Sequence, residues 1–309
     1  MLPRYRVIID NDFSGDPDDL FALAHHLLSP SVEVRGVIGS HLAPGDGLDP
    51  SGRSSENAAR IAAELIDLMG LSGQVPVYAG APTVLPDPTA PLPSAASQAI
   101  IAEASREAEP PLFIACGGGL TDLASALMQA PDITERMTLL WIGGPEYPDL
   151  AAPPPGSLSV EYNLNIDLNA ARYIFNQTRL PIWQVPRNVY RQCIVSLAEL
   201  EERVLPQGRL GSTLYHSLDR VFELVGRRAE TYVLGDQPLV LLTALQTLFE
   251  PDAASCDSVL MDTPCIGADG QYQPGSGTHP IRVFTRIDTR LMFEDLFAKL
   301  ARNHRQQGI

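Results

Sequence analysis

Five carboxylates fall within ten residues near the start of the chain, in the stretch DNDFSGDPDD: Asp10, Asp12, Asp16, Asp18 and Asp19. They follow the apolar run Val7-Ile8-Ile9. Read as a short buried strand through Asn11, that run sends Asp10 and Asp12 to one face as the strand ends. Ser14-Gly15 then turns the chain, and Asp16 before Pro17 predicts an N-cap with proline at the first helical position. Leu20, Leu23, Ala24 and Leu27 supply the apolar stripe of that helix, so Asp18 and Asp19 lie in its first turn. The helix dipole and free backbone N–H groups account for acids at 16, 18 or 19. They do not account for Asp10 and Asp12 converging on the same turn, where like charges must take up protons or a cation. Every donor is a hard oxygen with no His or Cys nearby, which favours Ca²⁺ or Mg²⁺ over zinc. A buried acidic network beside a capped helix is the other reading.

Further along, three clusters can serve the same chemistry. Leu112 to Cys116 reads as a buried strand running into Gly117-Gly118-Gly119, a turn that lets backbone groups approach a ligand or simply packs tightly. Glu161-Tyr162-Asn163 stands ahead of a helix that Asp167 would cap, and an acid beside an amide suits a polyhydroxylated ligand. Asp236, before Gln237-Pro238 and the apolar helix Leu239 to Phe249, reads equally well as a helix cap. His41, just past a strand end, is an ordinary loop residue or an acid near the site.

Taken in order, these segments resemble the inosine-uridine preferring nucleoside hydrolases. The first turn is similar to that family's Asp-x-Asp-Pro-Gly-x-Asp-Asp, with two more residues between the acidic pairs, so that Asp16 has no counterpart. ACGGGLTDLA (residues 115–124) resembles the family's Ala-x-Gly-Pro-Leu-Thr-Asn-x-Ala segment, and Glu161-Tyr162-Asn163 its Glu-Phe-Asn. The family's His-Asp-Pro is Gly235-Asp236-Gln237-Pro238 here, so its histidine, proposed as acid to the leaving base, is missing. The resemblance implies Ca²⁺ held by Asp12, Asp19, the Gly117 carbonyl and Asp236. It implies Asp12 as base to a water, supported by Asp10, and a ribose held by Asp18, Glu161 and Asn163. His41 becomes the replacement acid, with Trp183, Arg187 and Tyr190 as further candidates on the leaving-group side. The implied reaction is hydrolysis of the N-glycosidic bond of a ribonucleoside by a homo-oligomer, a dimer or tetramer.

The elements that must position these residues alternate. Strands are predicted at 7–11, 32–39, 75–78, 112–116, 138–142 and 182–185, and helices follow most of them. Glycine turns at strand C-termini complete the pattern of an α/β fold, an open, mostly parallel, doubly wound sheet whose ligands bind beyond the carboxyl ends. A helical excursion over 196–230 is a candidate lid. A hairpin whose second strand is 281–287 and a last helix over 290–302 complete one domain spanning 1–309.

Composition narrows the function. With 22 Lys and Arg against 37 Asp and Glu, the net charge of −15 leaves no basic surplus for a nucleic-acid backbone. Four scattered cysteines form no Cys-x-x-Cys pair, so the expectation is a reducing cytoplasm without a disulfide framework. No apolar run is long enough to span a bilayer. Two other classes remain: a non-catalytic metal- and ribose-binding protein of the same fold, and a metal-dependent phosphohydrolase using Asp10 and Asp12.

Overall fold

The computed structural model describes residues 2–108, 110–247, 255–273 and 279–308. The first half alternates strictly: β1 (Tyr5–Asn11), α1 (Asp18–Leu27), β2 (Val32–Gly39), α2 (Ser54–Leu68), β3 (Val77–Ala79), α3 (Ala95–Ala104), β4 (Leu112–Cys116), α4 (Thr121–Gln129) and β5 (Met137–Ile142). There follow α5 (Tyr162–Ile166), α6 (Leu168–Gln177), β6 (Ile182–Val185), α7 (Arg187–Tyr190), β7 (Ile194–Ser196), α8 (Leu197–Arg203), α9 (Gly208–Ser217), α10 (Asp219–Val225) and β8 (Thr231–Val233). The last part holds α11 (Gln237–Ala244), β9 (Asp257–Asp262), β10 (Cys265–Ile266), β11 (Tyr272–Gln273), β12 (Pro280–Arg286) and α12 (Thr289–Gln307).

The main sheet has eight strands in the order β3-β2-β1-β4-β5-β6-β12-β9. Every pairing in it is parallel except β12 with β9, so the expected mostly parallel α/β architecture is what the chain adopts. Side chains along β1 alternate between two cores, as a strand covered on both faces requires. Val7 and Ile9 pack with α1, α2, α11 and α12, whereas Ile8 packs with α3, α4 and α6. The chain runs outward from β1 through β2 to β3, then returns through α3 to place β4 on the other side of β1. That reversal opens a crevice beyond the carboxyl ends of β1 and β4, the place where such sheets take ligands.

Several expected boundaries shift. The helical excursion expected over 196–230 comprises α8, α9 and α10, the last two separated at Leu218, and the β7–β8 hairpin brackets it. The expected end of the helix at Phe249 lies outside the described residues; as described, α11 ends at Ala244. The C-terminal hairpin forms, β12 pairing antiparallel with β9, with the small β10–β11 ladder between them in sequence.

Candidate active site

At the switch point the acidic stretch splits in three directions. The strand ends at Asn11, so the simple alternation that placed Asp10 and Asp12 together stops there. Asp10 is fully buried below the crevice, near Asp122 and Ser40, and both its carboxylate oxygens lack hydrogen-bond partners. Asp12 belongs to the following turn, where its carbonyl accepts from the Gly15 N–H at 2.5 Å, and its side chain lines the crevice. Between them, on the opposite face of β1, Asn11 organises the site. Its Nδ2 donates to Asp19 Oδ1 at 2.9 Å and to Asp236 Oδ2 at 2.5 Å, and its Oδ1 accepts from the Gly117 N–H at 3.1 Å.

The helices supply the rest. Asp18 and Asp19 begin α1 as expected, but Asp16 is not its N-cap; it accepts from the Asp18 N–H at 3.2 Å and from the Tyr232 hydroxyl at 2.7 Å. Asp236 occupies the N-cap position of α11 without capping it. Its carboxylate turns to Asn11 instead, while its own N–H donates to Asp18 Oδ2 at 3.0 Å. Gly117 makes this approach possible: a Cβ there would stand 1.8 Å from Asp236 Oδ2. The glycine turn thus packs against a carboxylate. Glu161 caps α5 and is held by the Gly144 N–H at 2.8 Å, the Leu164 N–H at 3.0 Å and the Tyr190 hydroxyl at 2.7 Å. Asn163 donates through Nδ2 to the carbonyls of Gly117 (2.9 Å) and Ile142 (2.8 Å), which leaves its Oδ1 as an acceptor.

Together these groups line a cavity of about 340 Å³. Its polar lining is Asp12, Asp16, Asp18, Asp19, Asp236, Glu161 and Asn163, with Arg191, and Leu48, Ile142, Tyr162, Tyr190 and Val233 line it as well. Burial, first, and neighbouring carboxylates, second, push Asp10, Asp12, Asp18 and Asp19 well above the usual carboxylate range. Asp236 is pushed up to about 7, by burial chiefly, against the pull of hydrogen bonding from Asn11. So many anions around one space call for protons or a cation.

Residues 7–294 match the family described as inosine-uridine preferring nucleoside hydrolase. The chain belongs to that family. Like its other members it is an N-glycosidic hydrolase of nucleosides. No curated relative matches the chain. Among solved structures it resembles a purine-preferring ribonucleoside hydrolase from Gardnerella vaginalis, at 18% identity and a TM-score of 0.75, covering 97% of this chain and 99% of that one. A plant nucleoside hydrolase matches at 18% identity and 0.69 over 97% and 99%. An inosine-guanosine nucleoside hydrolase matches at 16% and 0.71 over 96% and 99%. At such identities these likenesses speak for the fold.

In this nucleoside hydrolase the crevice brings together Asp12, Asp18, Asp19, Gly117, Glu161, Asn163 and Asp236, and leaves Asp10 beneath them. It does not bring His41. That residue is buried away from the cavity, its Nδ1 on the Leu42 carbonyl and its Nε2 on the Thr121 hydroxyl, both at 2.9 Å. The loop after β2 turns inward, and Thr121 in turn donates to Asp167, so the expected leaving-group acid is part of a buried polar network. Trp183 packs between Phe113 and Phe284, and Arg187 is paired with Glu146. Of the further candidates, Tyr190 alone lines the cavity.

Sequence reasoning passed over Asn11, Tyr162, Arg191 and Arg220. Asn11 was readable as a polar residue at a buried strand end. Arg220 was not: it comes from α10 and donates to the Ser14 carbonyl at 2.8 Å and to that of Gly15. With Tyr232 on Asp16, it fastens the longer acidic turn to the excursion. Arg220→Ala is therefore expected to raise KM severalfold with little change in kcat, measured by steady-state kinetics; an unchanged KM would detach the excursion from the site.

Proposed function

We propose that this nucleoside hydrolase acts on ribonucleosides with one bound Ca²⁺, releasing ribose and free base. The observation that carries the reading is the pair of buried, partnerless oxygens Asp12 Oδ2 and Asp19 Oδ2 at the polar end of a cavity large enough for a nucleoside. Among the described residues no three His, Cys, Asp or Glu side chains stand ready as a metal cage, and the Asn11 amide bridges Asp19 and Asp236 instead. The donor set nonetheless suits a hard cation. Asp12, Asp19, Asp236 and the Gly117 carbonyl are all oxygens, and that carbonyl has a lone pair beyond the one facing Asn163. A divalent ion bound there would offset the clustered negative charge and acidify a water.

The chain's own groups do the rest. Asp12 takes the proton from the attacking water; with the cation bound it stays ionised and can accept that proton. Asp10, buried behind it, supports it through the field of a second carboxylate. Asp18, Glu161 and the Oδ1 of Asn163 receive the sugar hydroxyls. The hydrogen bonds that fix Glu161 and Asn163 keep them from rearranging as the reaction proceeds, so their charge and dipoles are set for the oxocarbenium-like sugar. Leu48, Ile142, Tyr162 and Val233 are left to face the base.

The test is a panel of purine and pyrimidine ribonucleosides and 2′-deoxyribonucleosides, with free base measured with Ca²⁺ and with chelator. Release from ribonucleosides that chelator removes is the expected result. Equal turnover of deoxyribonucleosides, or full activity in chelator, would overturn it.

A further inference from the structure

Resting on the hydrolase reading above, we infer that Arg191 receives the negative charge of the departing base. Among the described residues Arg191 is the one cationic side chain lining a cavity otherwise crowded with carboxylates. Among the described residues no hydrogen bond or ion pair holds its guanidinium, although its field reaches Glu146. One helical turn earlier, Arg187 is its contrast: Nη2 and Nε sit on the two Glu146 oxygens at 2.6 and 2.8 Å, so that charge is spent. The backbone under Arg191 is fixed by the C-terminal turn of α7 and by Tyr190, whose hydroxyl is on Glu161. Its place is set while its head remains available.

The alternatives on that wall fail for separate reasons. Gly235 leaves its position open: a Cβ there would meet Tyr190 and Asp18 at 3.4 and 3.5 Å and Val233 at 3.8 Å, all ordinary contacts. His41 is buried elsewhere. Tyr162 and Tyr190 already donate their hydroxyls to Asp46 and Glu161, both at 2.7 Å, so surrendering the proton would set a phenolate against a carboxylate. A guanidinium gives up no proton, but it hydrogen-bonds an anion through a planar fork. The step then balances as follows. The bond from C1′ to the base nitrogen breaks and its electron pair stays with the base, delocalised onto an exocyclic carbonyl oxygen that Arg191 binds. Water adds its oxygen to C1′ and its proton passes to Asp12. The released base anion is protonated by solvent.

The experiment compares wild type with Arg191→Ala and Arg191→Lys on two substrates, uridine and 4-nitrophenyl β-D-ribofuranoside, whose phenolate leaves without help. For uridine, kcat/KM should fall by about 10²-fold in Arg191→Ala, part of it restored by Arg191→Lys or by added guanidine, while the nitrophenyl riboside changes by less than about threefold. Equal losses on the two substrates, or none, would overturn the assignment while leaving the hydrolase reading standing. Wild type inert on both would remove that reading, and this one with it.

Discussion

Asp12→Asn is expected to lower kcat by roughly 10²–10⁴-fold, the usual contribution of a positioned general base. The amide keeps the size of the carboxylate but cannot take the proton of the attacking water. The fold should survive, because the substitution removes one anion from a buried cluster whose members raise one another's proton affinity. Circular dichroism and thermal melting would show native structure, with the metal-free variant at least as stable as wild type. Turnover at the wild-type level would remove Asp12 from the base position.

The second large effect concerns Asp236 and the cation. Its carboxyl is about 7 in the folded chain against an ordinary value of 3.8, so between those limits the native state binds more protons than the unfolded one. Stability of the metal-free protein from this group is thus present at the acid end and lost as pH rises from about 4 through 7, the reverse of ordinary acid denaturation. Asp10, Asp12, Asp18 and Asp19 shift in the same direction. Ca²⁺ should cancel the loss. At a hundred times its Kd a ligand contributes about 2.7 kcal/mol, which for a chain of 309 residues corresponds to a rise in Tm of roughly 4 °C. The rise should be large at pH 7.5, small at pH 5, and much reduced in Asp236→Ala. An equal rise in that variant would exclude Asp236 from the site.

Much of this architecture was legible because periodicity and glycine punctuation are local properties. Val7-Ile8-Ile9, Val32 to Gly39 and Leu112 to Cys116 read as buried strands, and in a parallel sheet the acidic turn after the first and the glycine turn after the last meet at one edge. Local rules misled where a residue has a choice of partners. Asp16 and Asp236 both satisfy the pattern of a helix cap, yet Tyr232 and the Asp18 N–H take the first and Asn11 the second. These partners lie as many as 225 residues away in the chain, and no spacing rule reaches them. His41 erred in the other direction, since a histidine at a strand end looks available until Thr121 and Leu42 claim both ring nitrogens. Arg191 carried no sequence signal; its meaning depends on Arg187 having a carboxylate partner and Gly235 having no side chain.

The measurement that bears most directly on the account is the product balance of wild-type enzyme with Ca²⁺ and a ribonucleoside in ¹⁸O-enriched water. Base and ribose are expected in equal amounts, with the new oxygen at C1 of ribose drawn from water. Base appearing without ribose, or ribose whose C1 oxygen is not solvent-derived at the first turnover, would contradict hydrolysis by a water activated at Asp12.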